Sequence, residues 1–204
     1  MNSLLDYIPV SDVIRSTAPT FEQEPLSIDE AKSQCGLTGN DFHDPELKGY
    51  ISQARQQFEN DTGIVCYTGA HVWKQTNWPC SDVMVLPAFR PVTSITSIQY
   101  VDTSGATQTW SASNYVLDTS GVKTFVRTAY ATDWPAIRGD INGITVTFVA
   151  GYSSVATIPQ SVKTAVKLQV RILWLLQMEN AAEAEKQAAA YDRLINWLMR
   201  RSYP

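Results

Sequence analysis

The chain has 204 residues, 44% of them hydrophobic and 18% charged, with a formal net charge of −4. That is one large domain or two small ones, able to bury roughly 70% of the unfolded surface, and the composition excludes a largely disordered chain. No apolar run approaches the ~20 residues of a bilayer span, and the 16 Lys and Arg are scattered rather than gathered into the basic stripe that grips DNA phosphates.

The start, Met1 to Pro9, lacks a basic stretch followed by the roughly 7–15-residue apolar core of a signal peptide. Cys35, Cys66 and Cys80 are odd in number, irregularly spaced and free of any Cys-x-x-Cys pair. They read as three reduced thiols in a protein made in the cytoplasm, with no cofactor implied.

Residues 1–25 carry Leu4, Leu5, Tyr7, Ile8, Val10, Val13 and Ile14 without helix caps, and Pro9, Pro19 and Pro25 break them. They form an arm that needs a surface on its own body or a neighbour, or else a frayed terminus. Ser27 and Glu30 spell a capping box, and Gly36 supplies the left-handed stop, which predicts a helix over 28–35. A second helix, 45–62, opens at Asp44 as N-cap with Pro45 behind it. Its Leu47, Tyr50, Ile51, Ala54 and Phe58 share one face, and Gly63 ends it.

The period then changes to two. Strands are expected at 70–73, 83–86, 95–101, 107–110, 115–117, 123–126 and 144–149. Two Thr-Ser-Gly turns at 103–105 and 119–121 close hairpins. After Gly151, Pro159 opens a long helix whose apolar character is nearly complete at Ile172–Leu176. A helix apolar on most sides is buried on most sides, so it is either central or packed on another subunit. Ile172, Leu173 and Leu176 are the candidate subunit contacts. Glu179–Ala190 has high helix propensity, and Tyr191, Leu194, Ile195 and Leu198 form a further stripe. The expected fold is α+β, with a helical bundle from 26–63 and 159–200 and an antiparallel β-rich insert at 64–158. The arm is 1–25 and a basic, aromatic tail is 201–204.

Groups for catalysis are sparse. His43 and His71 are the only histidines and have no ligand partners at metal-site spacing. Gly-x-Ser-x-Gly, phosphate-binding loops and Rossmann glycines are absent. Asp102, Asp118, Asp133 and Asp140 flank turns and read as Asx turns, which is ordinary Asp chemistry. A hydrolase built on Cys66 or Ser153 is the least supported class. Among six tryptophans, Trp78 and Trp134 precede prolines in loops and are the candidate exposed aromatics. They serve core packing, a protein interface or sugar contact.

An ordered set of segments carries a resemblance. It comprises Pro25-Leu26-Ser27-Ile28-Asp29-Glu30-Ala31-Lys32, the helix from Ile51 to Gly63, Leu86-Pro87 and Pro91-Val92-Thr93-Ser94-Ile95. Tyr100-Val101-Asp102 with Gly105, Tyr130, Trp134-Pro135, Ile144 to Tyr152 and Ile158-Pro159 complete it. Over about residues 25–178 the chain resembles the head–tail connector (adaptor) proteins of long-tailed bacteriophages and gene-transfer agents. It departs from them in a longer N-terminal arm and in the Ala/Glu-rich helix after Glu179.

The resemblance implies a non-enzymatic virion neck protein, commonly a dodecameric ring. It would be bound to the portal on one side and to stopper or tail-completion proteins on the other, with DNA passing through the lumen without sequence-specific binding and with no membrane involved. Arg200, Arg201, Tyr203 and Pro204 are the residues assigned to portal docking on that basis. The alternative is a sugar- or receptor-binding β module of a tail-associated protein, using Trp78 and Trp134.

Overall fold

The computed structural model describes residues 13–15, 19–87, 89–121 and 123–200. The protein is mixed α+β, with helices toward both ends of the chain and strands between. It divides at 18/19, 67/68 and 151/152 into two compact units, one of strands and one of helices.

In the helical unit, α1 (Ile28–Cys35) begins as expected. Ser27 Oγ accepts from the Glu30 N–H at 3.2 Å, the Ser27 N–H donates to Glu30 Oε2 at 3.0 Å, and Gly36 ends the helix at φ 75°. Helix α2 (Asp44–Thr62) starts one residue earlier than the sequence suggested. Asp44 is already helical and pairs with the buried Lys32 at 2.7 Å instead of capping, while His43 takes the cap position. Asp41 also pairs with Lys32.

Helix α3 (Gln160–Gln177) meets α1, α2 and α4 (Ala181–Arg200). Leu47, Ile51, Ala54 and Phe58 of α2 are buried against Val162, Ala165, Val166 and Val170 of α3 in a core that excludes water. That placement fits the central-helix alternative for the α3 apolar run: Ile172 is buried and Leu173 partly buried against the same core, while Leu176, at 55% exposure, faces outward. The apolar surplus is spent on three helices of its own chain.

The α3–α4 break has no Gly or Pro. Glu179 adopts φ 55°, and Asn180 Oδ1 accepts the Glu183 N–H at 3.3 Å to start α4.

The flanks of the helices belong to this unit too. Ile64, Cys66 and Ile158 are in the helical core, although the expected boundary put them with the β insert. Glu24, expected in the arm, is buried beside Arg55.

The strand unit contains two antiparallel sheets. The larger has the order β1-β2-β8-β4-β5, built from Val13–Arg15, Gly69–Gln75, Ile144–Ala150, Val92–Val101 and Thr107–Trp110. The smaller has the order β3-β7-β6, from Val83–Val85, Phe125–Thr128 and Tyr115–Asp118. Both Thr-Ser-Gly turns close hairpins, β4–β5 and β6–β7. Central strand β8 buries Ile144, Val146, Phe148 and Ala150 on one face, the period-two pattern that fixes its register. Within residues 1–25, Val13–Arg15 pairs with His71–Trp73 as an edge strand, so that part of the arm docks on a sheet. Residues 1–12, with Leu4, Leu5, Tyr7, Ile8 and Val10, lie outside the described residues.

Candidate functional site

His43, His71, Cys35 and Cys66 are packed or paired within the fold, while Cys80 is a free, exposed cysteine. Among the described residues no group of three or more His, Cys, Asp or Glu is placed to hold a metal ion, and no helix is long and apolar enough to cross a membrane. His43 Nδ1 lies 2.7 Å from Glu46 Oε2, and its ring meets Trp174 edge-on at 5.0 Å. His71 is fully buried on β2, with ring centroids 4.9 Å from Phe89 and 5.6 Å from Phe148. Cys66 is buried in the helical core, where its N–H donates to Glu59 Oε1 at 2.8 Å. Burial pushes the Cys35 thiol up to about 11, against the pull of Arg171, so it stays a protonated, unreactive thiol. Ser154 serves a local turn, its N–H donating to Thr157 Oγ1 at 3.3 Å.

Of the turn carboxylates, Asp102 and Asp118 form Asx turns, whereas Asp140 pairs with Arg138 instead. Asp102 Oδ1 accepts from Ser104 Oγ at 2.5 Å, the Ser104 N–H at 2.9 Å and the Ala106 N–H at 3.0 Å, while Oδ2 accepts from Gln108 at 2.9 Å. The Ser104 hydroxyl and then Gln108 hold this carboxyl down at about 2. A depressed folded pKa makes the contribution fully present above the unfolded value near ~3.9, and it is lost as pH falls through about 2. The amide resonances of Ser104 and Ala106 are therefore expected to titrate with a midpoint near pH 2, and Asp102→Asn removes that step. A midpoint at an ordinary Asp value in an NMR pH titration excludes the turn geometry. Asp118 repeats the motif with Ser120, and Asp140 takes a bidentate pair from Arg138 at 2.8 and 2.6 Å.

Two surfaces stand out among the described residues. The first is an aromatic stack in the strand unit. Trp78, from the β2–β3 loop, and Trp134, from the β7–β8 loop, stack at 4.9 Å and 14°. Trp110 at the end of β5 lies 4.9 Å from Trp134 and 6.0 Å from Trp78, and it stacks on Tyr115 at 5.4 Å. Trp78 Nε1 donates to Pro135 O and Trp134 Nε1 to Ser81 O, both at 2.9 Å. Trp78 and Trp134, expected as exposed loop aromatics, are half-buried against each other, because two loops and a strand end converge on Trp110. Its role as the hub had no local signal beyond being one of six tryptophans.

The second surface is a groove of about 550 Å³ between α2, α3 and α4. Ile172, Ile195 and Met199 give it an apolar floor, and Asp61 and Asp192 give it acid. Asp61 Oδ2 accepts from Tyr191 Oη at 2.7 Å and Oδ1 from Gln57 Nε2 at 2.8 Å. Burial, then the Asp61 carboxylate, raise the Tyr191 hydroxyl far above the ordinary tyrosine value, so it remains a donor. The sequence reading did not single out Asp61 or Asp192; helical spacing shows a stripe but not which helices flank it. Of the tail residues, Arg200 ends α4, and Arg201, Tyr203 and Pro204 lie outside the described residues.

A helical unit and a two-sheet strand unit define a mixed α+β protein. The fold is similar to that of a chain in the virion of a native gene transfer agent (GTA) particle, with TM-score 0.65, 22% identity, and coverage of 78% of this chain and 81% of that one. It is also similar to a chain in the neck of the empty GTA particle computed with C6 symmetry, with TM-score 0.64 and 22% identity over 78% and 81%. A third likeness is to a chain in the neck of the native GTA particle computed with C12 symmetry, with TM-score 0.61 and 20% identity over 78% and 80%. No family model and no curated protein sequence matches.

Proposed function

We propose that this chain is a structural protein of a virion neck, forming a ring that joins the capsid portal to the tail and lets DNA pass through its lumen. The observation that carries this is the shared fold over 78% of the chain with proteins from GTA particles, two of them in necks. Twelve copies suit the ring, in keeping with the C12 symmetry of one of those necks. Portal and stopper or tail-completion proteins are the partners, and Arg200, Arg201, Tyr203 and Pro204 supply portal docking. A net charge of −4 suits a lumen along which DNA slides without being held.

Negative-stain imaging of the protein mixed with its cognate portal tests the assignment. An added ring layer is the expected result; a folded, monodisperse protein that adds no layer rejects it. Leu176 is the most exposed residue of the α3 run, so Leu176→Asp is expected to impair ring assembly. At an exposed site the monomer should change by no more than about 0.5 kcal/mol. Unaltered assembly by sedimentation removes Leu176 from the interface.

The aromatic stack is the observation that favours a second reading, a sugar- or receptor-binding module. Ligand-dependent quenching of Trp78 and Trp134 fluorescence would be its signature.

A further inference from the structure

Helix α4 presents two unlike surfaces. One side turns Asp192, Asn196 and Met199 into the groove, across from Asp61 of α2. About a third of a turn further round the helix, Lys186, Arg193 and Trp197 fall at i, i+7 and i+11 and so share one face. Arg193 is exposed, Trp197 is 48% exposed, and Lys186 reaches back to Glu183 at 3.1 Å. The described residues lining the groove include two carboxylates and no Lys or Arg. The helix therefore has a cationic, aromatic face and, beside it, an anionic groove with an apolar floor.

We propose that the Arg193–Trp197 face of one copy seats in the Asp61–Asp192 groove of the next, a contact that presupposes the ring reading. Charge complementarity selects a second copy as the occupant. The groove accepts a cation beside an apolar group, and the same chain carries that pair at i, i+4 spacing. Asp61 is held in place by Tyr191 and Gln57, so its charge is oriented before the partner arrives. The apolar floor of Ile172, Ile195 and Met199 suits an indole, and Trp and Arg are the residue types that dominate interface energetics. The two surfaces are different patches separated by rotation about one helix. Their contact is heterologous, repeats from copy to copy, and closes when the rotation does.

Reversing one charge on each side provides the test. Arg193→Asp and Asp192→Arg are made separately, and each is followed by sedimentation velocity and negative stain, alone, mixed in equal amounts, and with the cognate portal. Each variant alone is expected to lose at least about tenfold in association constant. The equimolar mixture regains wild-type assembly, because each variant supplies the charge that the other lacks. Trp197→Ala, with circular dichroism as a fold control, should weaken assembly with no change in helix content.

Rings that survive both single reversals overturn this surface and leave the ring reading standing. So does a mixture that stays dissociated while the wild type assembles. Normal rings that no longer bind a tail protein give the groove to that partner and overturn self-docking. A wild-type protein that forms no ring, alone or on the portal, defeats the ring reading itself.

Discussion

Arg55→Ala is expected to destabilise the helical unit by about 3–5 kcal/mol, the loss typical of breaking a buried ion pair from one side. Arg55 is 2% exposed. Its Nε donates to Glu24 Oε2 at 2.8 Å and its Nη1 to Glu59 Oε2 at 2.7 Å, and its guanidinium lies 5.5 Å from the Tyr67 ring centroid. Burial works against the guanidinium charge, but Glu59 and Glu24 outweigh it and raise the Arg55 pKa. Removing the cation strands two carboxylates at 5% and 6% exposure.

Glu59 also accepts the Cys66 N–H. The triad thus ties the segment before α1, the body of α2 and the chain leaving α2 into one knot. Arg55→Lys is expected to recover only part of the loss, since one ammonium cannot reproduce a fork that serves two carboxylates. Urea unfolding followed by far-UV circular dichroism measures both effects. A change below about 1 kcal/mol for the alanine variant excludes the triad as a stabilising element.

That knot shows where sequence stops being informative. Arg55 and Glu59 stand at i, i+4 and look like an ordinary surface pair; only the fold brings Glu24, 31 residues away, to the other side of the guanidinium. Features set by neighbouring residues were legible. The Ser27–Glu30 box, the Gly36 stop and the two Thr-Ser-Gly hairpins depend on contacts within a few positions, and all are present.

Features set by distant partners were not legible. Strand β1 exists because Ile14 finds Val72, and nothing near Val13 announces it. The Ile172–Leu176 run announced burial correctly but could not say by what, and the partners proved to be α1, α2 and α4. The groove was invisible for the same reason: Asp61 and Asp192 are 131 positions apart and face one cleft only after α2 and α4 flank α3.

The second large effect falls on the strand unit. Trp110→Ala is expected to cost about 3–5 kcal/mol, as for a large aromatic removed from a packed site. Trp110 is 5% exposed and pairs with Ile98 across the β4–β5 hairpin. Its ring also contacts Tyr115, the first residue of β6, and so connects the five-stranded sheet to the three-stranded one. Without it the Trp78–Trp134 pair loses its base, and both loops lose the support that fixes them, although the bonds to Pro135 and Ser81 remain.

Near-UV circular dichroism should lose the signal of coupled tryptophans in step with stability. Trp134→Ala, at a half-buried ring, should cost less than Trp110→Ala. Trp110→Phe should retain much of the packing because a ring still fills the site. The order of the three losses carries the test: a surface platform maintained for a ligand would make Trp78 and Trp134 replaceable without loss of stability and Trp110 unremarkable. A hub makes Trp110 dominant. Equal, small losses for Trp110→Ala and Trp134→Ala would return the stack to the role of a binding surface, and with it the sugar-binding reading of the strand unit.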